Sequence, residues 1–116
     1  MAQRLSNYPV TRATVAEATN PSDNDVMADT GALPGGIYEV LCNMSCATAI
    51  AKVHVAQRNV DNDADVGAEM HFNIPQDSGR DVPLRFELEK NQRVVIRMAA
   101  AQTGTTACNI TAQRVA

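Results

Sequence analysis

Three cysteines are the residues of this chain with the greatest potential for chemistry. Cys42 and Cys46 are four positions apart and Cys108 is distant, and an odd number of cysteines argues against a disulfide framework. A bridge from Cys42 or Cys46 to Cys108 is an alternative that depends on whether the first and last core strands are neighbours. A zinc site would need four converging ligands, and the usual paired spacing is missing. We therefore expect no metal and three buried free thiols, because free cysteine behaves as a small hydrophobe.

Two histidines, His54 and His71, are the candidates for a general base. Both are predicted on the outward faces of separate strands. They are accompanied by no serine between glycines and by no paired acids with a clear pocket. We therefore predict surface histidines, no cofactor and a protein that is not an enzyme.

An acidic stretch, Asp61-Asn62-Asp63-Ala64-Asp65, places carboxylates at alternating positions and superficially resembles a calcium loop. Val66 occupies the sixth position, where such a loop needs glycine, and no glutamate occupies the twelfth. A polar turn is the simpler interpretation. The glycines of residues 31–36 (GALPGG) lack the strand, helix and lysine context of a phosphate loop, so we interpret that segment as a hinge.

Apolar and polar residues alternate in five or six short runs between Gly36 and Val115, and each run ends in a turn cluster. A period of two places one face of a strand in the core and the other in water. The inward rows are Ala49, Ala51, Val53 and Val55; Ala68, Met70, Phe72 and Ile74; Val82, Leu84, Phe86 and Leu88; Val94, Ile96 and Met98; and Cys108, Ile110 and Ala112. The pattern predicts an all-β fold, a small antiparallel β-sandwich of jelly-roll type with six to eight strands.

Turn residues separate the predicted strands. Residues 59–65 and 75–81 are predicted loops, and Asn91 is the hairpin residue expected to adopt a positive φ. Pro83 lies within a strand run, which favours an edge strand or a strand that begins there. Residues 37–42 are apolar on nearly both faces, which is typical of a central strand.

The first 35 residues differ in composition from the rest, being rich in Thr, Ala, Asn, Asp and Pro. They are predicted to form an extended N-terminal arm, residues 1–35, in front of a β-sandwich domain, residues 36–116. Residues 11–16 either pair as an outer strand of the same sandwich or lie on a neighbouring subunit. The apolar stretch of a signal peptide and that of a membrane span are both missing, so we expect a soluble chain.

Composition and charge limit the partners. The chain has 116 residues, with 10 basic against 13 acidic side chains and a net charge of −3, and no basic block. This excludes nucleic acid and an anionic membrane as primary partners. Two Phe, two Tyr and no Trp leave an aliphatic core, which suits a chain that completes its burial in an oligomer.

A resemblance to a known class of proteins appears in the strand layout. Residues 36–40 (GIYEV) lead through Cys42-Asn43 and a run of small residues into the strand of residues 51–56. This succession resembles small β-sandwich proteins carried on tailed-bacteriophage particles. Residues 84–99 also fit that layout, although Asn91 replaces the more usual glycine. The resemblance covers roughly residues 36–115 and is one of layout rather than of a signature motif.

The resemblance implies a structural virion protein of the capsid decoration (cement) type. Such a protein binds the outside of the shell and bridges neighbouring major capsid protein subunits, and many are homotrimers. The implied location is the capsid surface of the virion, after synthesis in the host cytoplasm. The predicted partner-binding residues are the arm anchors Tyr8, Pro9 and Val10, and the hinge residues Leu33, Pro34, Gly35 and Gly36. Deleting residues 1–30 should then leave a folded sandwich that no longer docks.

Two further functions are compatible with the same fold. The first is a tail, collar or head-fibre subunit of a phage, which would differ in copy number. The second is a carbohydrate-binding sandwich. Sugar platforms usually need exposed aromatic rings, and with Tyr8 and Tyr38 as its tyrosines and no Trp this chain is poorly equipped for that role.

Overall fold

The computed structural model describes residues 10–47 and 50–116, with side chains described from Ala18 onward. These residues form eight β-strands. The strands are β1 (Val10–Thr19), β2 (Val26–Asp29), β3 (Gly36–Cys46), β4 (Ala51–Asn59), β5 (Met70–Ile74), β6 (Ser78–Leu88), β7 (Gln92–Met98) and β8 (Thr105–Arg114). The described part of the chain holds no helix with the length and hydropathy of a membrane span.

The strands form two antiparallel sheets of four. Sheet A has the order β1-β8-β3-β6, and sheet B has the order β2-β7-β4-β5. Neighbouring strands in the sheets are β1 with β8, β3 with β6, β2 with β7 and β4 with β5, which is the eight-stranded connectivity of a jelly roll. The prediction of an all-β, jelly-roll sandwich is therefore confirmed.

The core lies between the two sheets and is built from the alternating rows. Val53, Val94, Ile96, Met98 and Ile110 are all 0% exposed. The row on β6 is buried as predicted, with Leu84 half-buried. One inward residue was predicted wrongly, because Ala68 precedes β5 and is exposed. Ala49, also predicted inward, lies outside the described residues.

Strands β1 and β2 belong to the sandwich. β1 pairs with β8 from Val10 opposite Gln113 to Thr19 opposite Thr105, and β2 pairs with β7. Met27 of β2 is 1% exposed. Residues 10–35 are thus not a separate arm, and position 35/36 is not a domain boundary. Of the two alternatives for residues 11–16, the structure has the outer strand.

The segment predicted as a hinge, residues 33–36, is packed against the rest of the sandwich. The Leu33 side chain is 6% exposed, and its N–H donates to the Gln92 carbonyl at 2.9 Å. The Tyr38 hydroxyl donates to the Pro34 carbonyl at 2.7 Å. A side chain at Gly35 would meet the Leu88 carbonyl oxygen at 3.4 Å. These contacts make the segment a fixed crossover between the sheets rather than a hinge.

Two of the predictions made from turn and breaker residues agree with the structure, and one differs. Asn91 has φ 63°, as predicted for the β6–β7 hairpin. Pro83 lies on β6, which is an edge strand of sheet A, so its missing N–H leaves no interior ladder position unpaired. The loop predicted for residues 75–81 is shorter, because β6 already begins at Ser78.

Two truncations distinguish the contribution of β1 and β2 to stability from that of the first nine residues. Deleting residues 1–30 removes β1 and β2, which exposes the edges of β8 and β7 and strips Met27 from the core. We expect that variant to lose its cooperative thermal transition. Deleting residues 1–9 removes no described strand, and we expect its Tm to stay within a few degrees of the full chain by circular dichroism. A cooperative melt of the longer deletion near the full-length Tm would contradict the role given to β1 and β2.

Candidate functional site

The outer face of sheet A carries two depressions. On its central strand β3, Val40, Cys42 and Met44 point into the core, so the intervening side chains point away from it. Those outward residues are Glu39, Leu41, Asn43 and Ser45. We call the surface that they form with their neighbours on β8 and β6 the sheet A groove.

One half of the sheet A groove is a depression of about 580 Å³ centred on Leu41. The Leu41 side chain is 40% exposed and lies directly opposite Pro83 of β6 and Thr111 of β8. Two apolar side chains therefore lie side by side on the outer face of sheet A, one on the interior strand β3 and one on the edge strand β6. Glu39 lies opposite Arg85 on one side and Gln113 on the other, so the rim carries one charge of each sign.

The other half of the sheet A groove is polar. It is a depression of about 430 Å³ that continues along β3 past Asn43. The Asn43 amide donates to Asp81 Oδ1 at 2.7 Å, and Asn109 lies opposite Asn43 on β8. Amide and carboxylate groups that project from a sheet in this way can bind hydroxyl groups or the polar rim of a protein partner.

The residues predicted to bind a partner lie elsewhere or outside the described chain. Tyr8 and Pro9 are outside the described residues. Val10 begins β1 opposite Gln113, at the edge of the sheet that carries the groove. Leu33, Pro34 and Gly35 line a separate depression of about 510 Å³ with Ala32, Lys90 and Asn91. The partner-binding role of all these residues stays a prediction.

Leu41 was missed in the sequence. The apolar run of residues 37–42 was interpreted as a central strand, which β3 is, but Leu41 was not identified as an exposed residue. The signal was nevertheless present, because strict alternation from Tyr38 through Val40 to Cys42 places Leu41 on the solvent face. Single exposed apolar residues are common, and Leu41 indicates a binding surface because it adjoins Pro83 on the same face.

The three cysteines are buried free thiols, as expected. Burial raises the pKa of Cys42 to about 12 and that of Cys108 to about 12, so both stay protonated and unreactive. The Cys46 thiol donates to the Pro75 carbonyl at 3.0 Å. Among residues 10–47 and 50–116, no group of three or more acidic, cysteine or histidine side chains is arranged to hold a metal.

His54 is not the surface residue that was predicted. It points outward from sheet B, but the β4–β5 loop (residues 60–69) folds back over this face and leaves His54 5% exposed. Its Nδ1 lies 2.7 Å from Glu69 Oε2, an ion-pair distance without the alignment of a hydrogen bond. Burial lowers the pKa of His54, and the Glu69 carboxylate opposes that shift. His71 is exposed, as predicted, with its ring 5.5 Å from that of His54.

Comparison with known proteins supports the fold but does not assign the chain to a family. No protein-family model and no curated protein matches the sequence. The globular domain of zebrafish complement 1qA is similar, with a TM-score of 0.67 and 9% identity over 93% of this chain and 98% of that one. The shared feature is the jelly roll.

Two other solved structures extend this likeness. The CBM22-1 xylan-binding domain of Paenibacillus barcinonensis Xyn10C has a TM-score of 0.60 and 10% identity over 91% of this chain and 81% of that one. Eiger TNF from S. frugiperda has a TM-score of 0.61 and 9% identity over 94% and 93%. At these identities the likeness shows the fold alone.

The buried His54 makes stability depend on pH. Its pKa in the folded chain lies below the ordinary value of 6.5, so the unfolded chain binds a proton more readily. Its contribution to stability is therefore complete above about pH 6.5 and is lost as the pH falls through the folded pKa. We expect the urea midpoint of the wild type to decrease between pH 7 and pH 5. This decrease should be smaller in His54→Gln.

The matched control for this measurement is His71→Gln, which removes the exposed neighbour. It should keep most of the pH dependence of the wild type, because burial is the largest cause of the lowered pKa of His54 and the His71 charge is a smaller one. Equal slopes of urea midpoint against pH in the wild type and in His54→Gln would refute the assignment to His54.

Proposed function

We propose that this jelly roll is a non-catalytic structural module that binds a protein partner through the sheet A groove. The observation that carries the proposal is the exposed Leu41 beside Pro83 at the centre of the groove. Covering apolar surface contributes about 25 cal/mol per Å², so a partner that seats on this pair gains affinity at the centre of the contact. The polar residues on both sides then form the rim that such interfaces have.

The chemistry of the described side chains supports a binding role. Cys42 and Cys108 are buried and protonated, and His54 is enclosed beneath the β4–β5 loop. Cys42 and His54 do not line the sheet A groove, and Cys108 borders its polar half with a side chain that is 2% exposed and belongs to the core. The rest of the lining consists of carboxylate, amide, hydroxyl and apolar side chains and one arginine. A lining of this composition is suited to the recognition of a partner surface.

The narrower form of the proposal is a capsid decoration protein. It rests on the resemblance of residues 36–115 to small sandwich proteins of phage particles. The partner would then be the major capsid protein, and the chain would act as a clamp on the outside of the shell, most simply as a homotrimer. Many weak contacts repeated by symmetry give high total avidity, so a shallow surface such as the sheet A groove suffices for each copy. A tail or collar subunit would use the same contacts in fewer copies.

Carbohydrate binding is the second candidate, because the polar half of the groove offers side chains suited to sugar hydroxyls. Asn43, Asp81 and Asn109 line it together. A similar solved structure is named as a xylan-binding domain. However, Tyr38 is 3% exposed and Phe86 is 7% exposed, so these aromatic rings belong to the core. Without ring stacking, amide contacts alone give weak sugar binding, which places this function second.

A substitution at Leu41 tests the docking surface. Leu41→Asp places a charge at the centre of the groove, and we expect it to reduce partner occupancy at least tenfold in co-sedimentation with the phage capsids that carry the protein. Because Leu41 is already 40% exposed, the Tm should change by a few degrees at most. The matched control is Val26→Asp, at a residue of sheet B that is 45% exposed, and it should bind as the wild type does. Undiminished binding of Leu41→Asp would exclude the groove as the docking surface.

A glycan array separates the two candidates. We expect the full chain to show no saturable binding to the arrayed glycans, xylan fragments included. Saturable binding that is lost in Asn43→Ala would instead favour the carbohydrate function. Ser45→Ala, a truncation of an outward residue on the same strand, is the control for a general effect on the sheet.

A further inference from the structure

Three arginines lie close together on the outer face of sheet B, opposite to the sheet A groove. Arg58 of β4 is directly across from Arg93 of β7, and Arg97 of β7 is across from His54. All three point away from the core, because the residues between them, such as Val94 and Ile96, are fully buried. Like charges on neighbouring positions of a sheet repel, so this arrangement requires anionic partners.

One carboxylate, that of Asp63, contacts all three arginines. Arg58 Nε donates to Asp63 Oδ1 at 3.0 Å, and Arg97 Nη2 lies 3.4 Å from Asp63 Oδ2. Arg93 also donates to Asp63 Oδ1 and forms a second ion pair with Asp29. Asp65 accepts from Arg58 Nη1 at 2.6 Å. The three arginines and the three aspartates together are neutral.

Burial in this cluster is uneven. The side chains of Arg58, Arg93 and Arg97 are 11%, 21% and 18% exposed, whereas that of Asp63 is 52% exposed. The carboxylate on which the arginines converge thus comes from the solvent side. The Nε groups of Arg93 and Arg97 are buried and have no hydrogen-bond partner among the described residues. The two oxygens of a carboxylate satisfy fewer donors than three guanidinium groups offer.

The segment that carries Asp63 is attached mainly by polar contacts. Residues 61–65 are all exposed, and Val60 is 40% exposed. The Val66 N–H donates to the Gln57 carbonyl at 2.7 Å, and the Asn59 N–H donates to the Ala64 carbonyl at 2.9 Å. Asp63 itself has φ 53°, in the left-handed region. A segment with few buried apolar contacts opens at low free-energy cost, so Asp63 can leave the arginines without unfolding the sandwich.

We infer that Arg58, Arg93 and Arg97 form a binding site for a tetrahedral oxyanion, a phosphate or sulfate group, in which Asp63 is a displaceable internal ligand. A tetrahedral dianion carries two more oxygens than a carboxylate and twice its charge, and so reaches donors that Asp63 leaves unpaired. Arginine is well suited to this recognition because its planar fork matches oxyanion geometry. The site lies on the sheet opposite to the groove and is independent of the proposed function.

The test is an NMR titration of the full chain that follows the Nε–Hε resonances of the three arginines. Sodium sulfate and inorganic phosphate are added at constant ionic strength, with sodium chloride as the reference. We expect saturable shifts of these resonances in the wild type, and faster exchange of the Val66 amide as the loop is displaced. Asp63→Asn should bind at least tenfold more tightly, because the competing carboxylate is gone.

Matched variants make the result decisive. Asp61→Asn removes the same charge from the same loop at a fully exposed position and should titrate as the wild type does. Arg97→Gln, which removes the most distant of the three contacts with Asp63, should weaken anion binding at least fivefold. If Asp63→Asn fails to fold, the wild type, Asp61→Asn and Arg97→Gln still decide the question.

Two outcomes would overturn the inference. The first is the absence of any saturable shift beyond that caused by sodium chloride. The second is an equal gain of affinity in Asp61→Asn and Asp63→Asn, which would show a general charge effect. With binding established, titration with O-phosphoserine and with a monosaccharide sulfate distinguishes a phosphate source from a sulfate source.

Discussion

The burial of alternating side chains between the two sheets is the interaction on which the rest of this structure depends. Among the described side chains, strands β2 to β8 contribute to a core layer made mainly of Val, Ile, Met, Leu, Ala and Cys, with Tyr38 and Phe86 as buried aromatic rings. Because the inward residues fix the register, the outward residues are free to vary without loss of the fold. The outer faces of the two sheets can therefore differ in chemistry while they share one core.

The two outer faces do differ. Sheet A is open, with Leu41 and Pro83 at its centre and a few polar groups around them. Sheet B is covered by the β4–β5 loop, whose carboxylates neutralise the arginines beneath. The same fold thus has one outer face that is open to solvent and one outer face that is covered by its own loop.

The sandwich could be predicted from the sequence because the two faces of several strands differ strongly in polarity. On β6 and β7 the outward positions are mostly charged and the inward ones aliphatic, so the period of two is plain. Prediction failed where contrast is weak or where tertiary contacts decide. β1 is largely Ala and Thr, which fit either face, so the strand looked like an arm. His54 follows the alternation, yet it is buried by a loop that returns from ten residues further along. Local pattern carries no information about such coverage.

The pairing of the first strand with the last has a consequence for how the chain is made. In sheet A, β8 lies between β1 and β3, and with its span Thr105–Arg114 it is the last of the described strands in chain order. Until those residues leave the ribosome, β1 has no neighbour in its sheet, and the inner face of β3 lacks the side chains of Ile110 and Ala112 beside it. Sheet A is therefore completed only after β8 has been synthesised, and the nascent chain exposes unpaired strand edges until then.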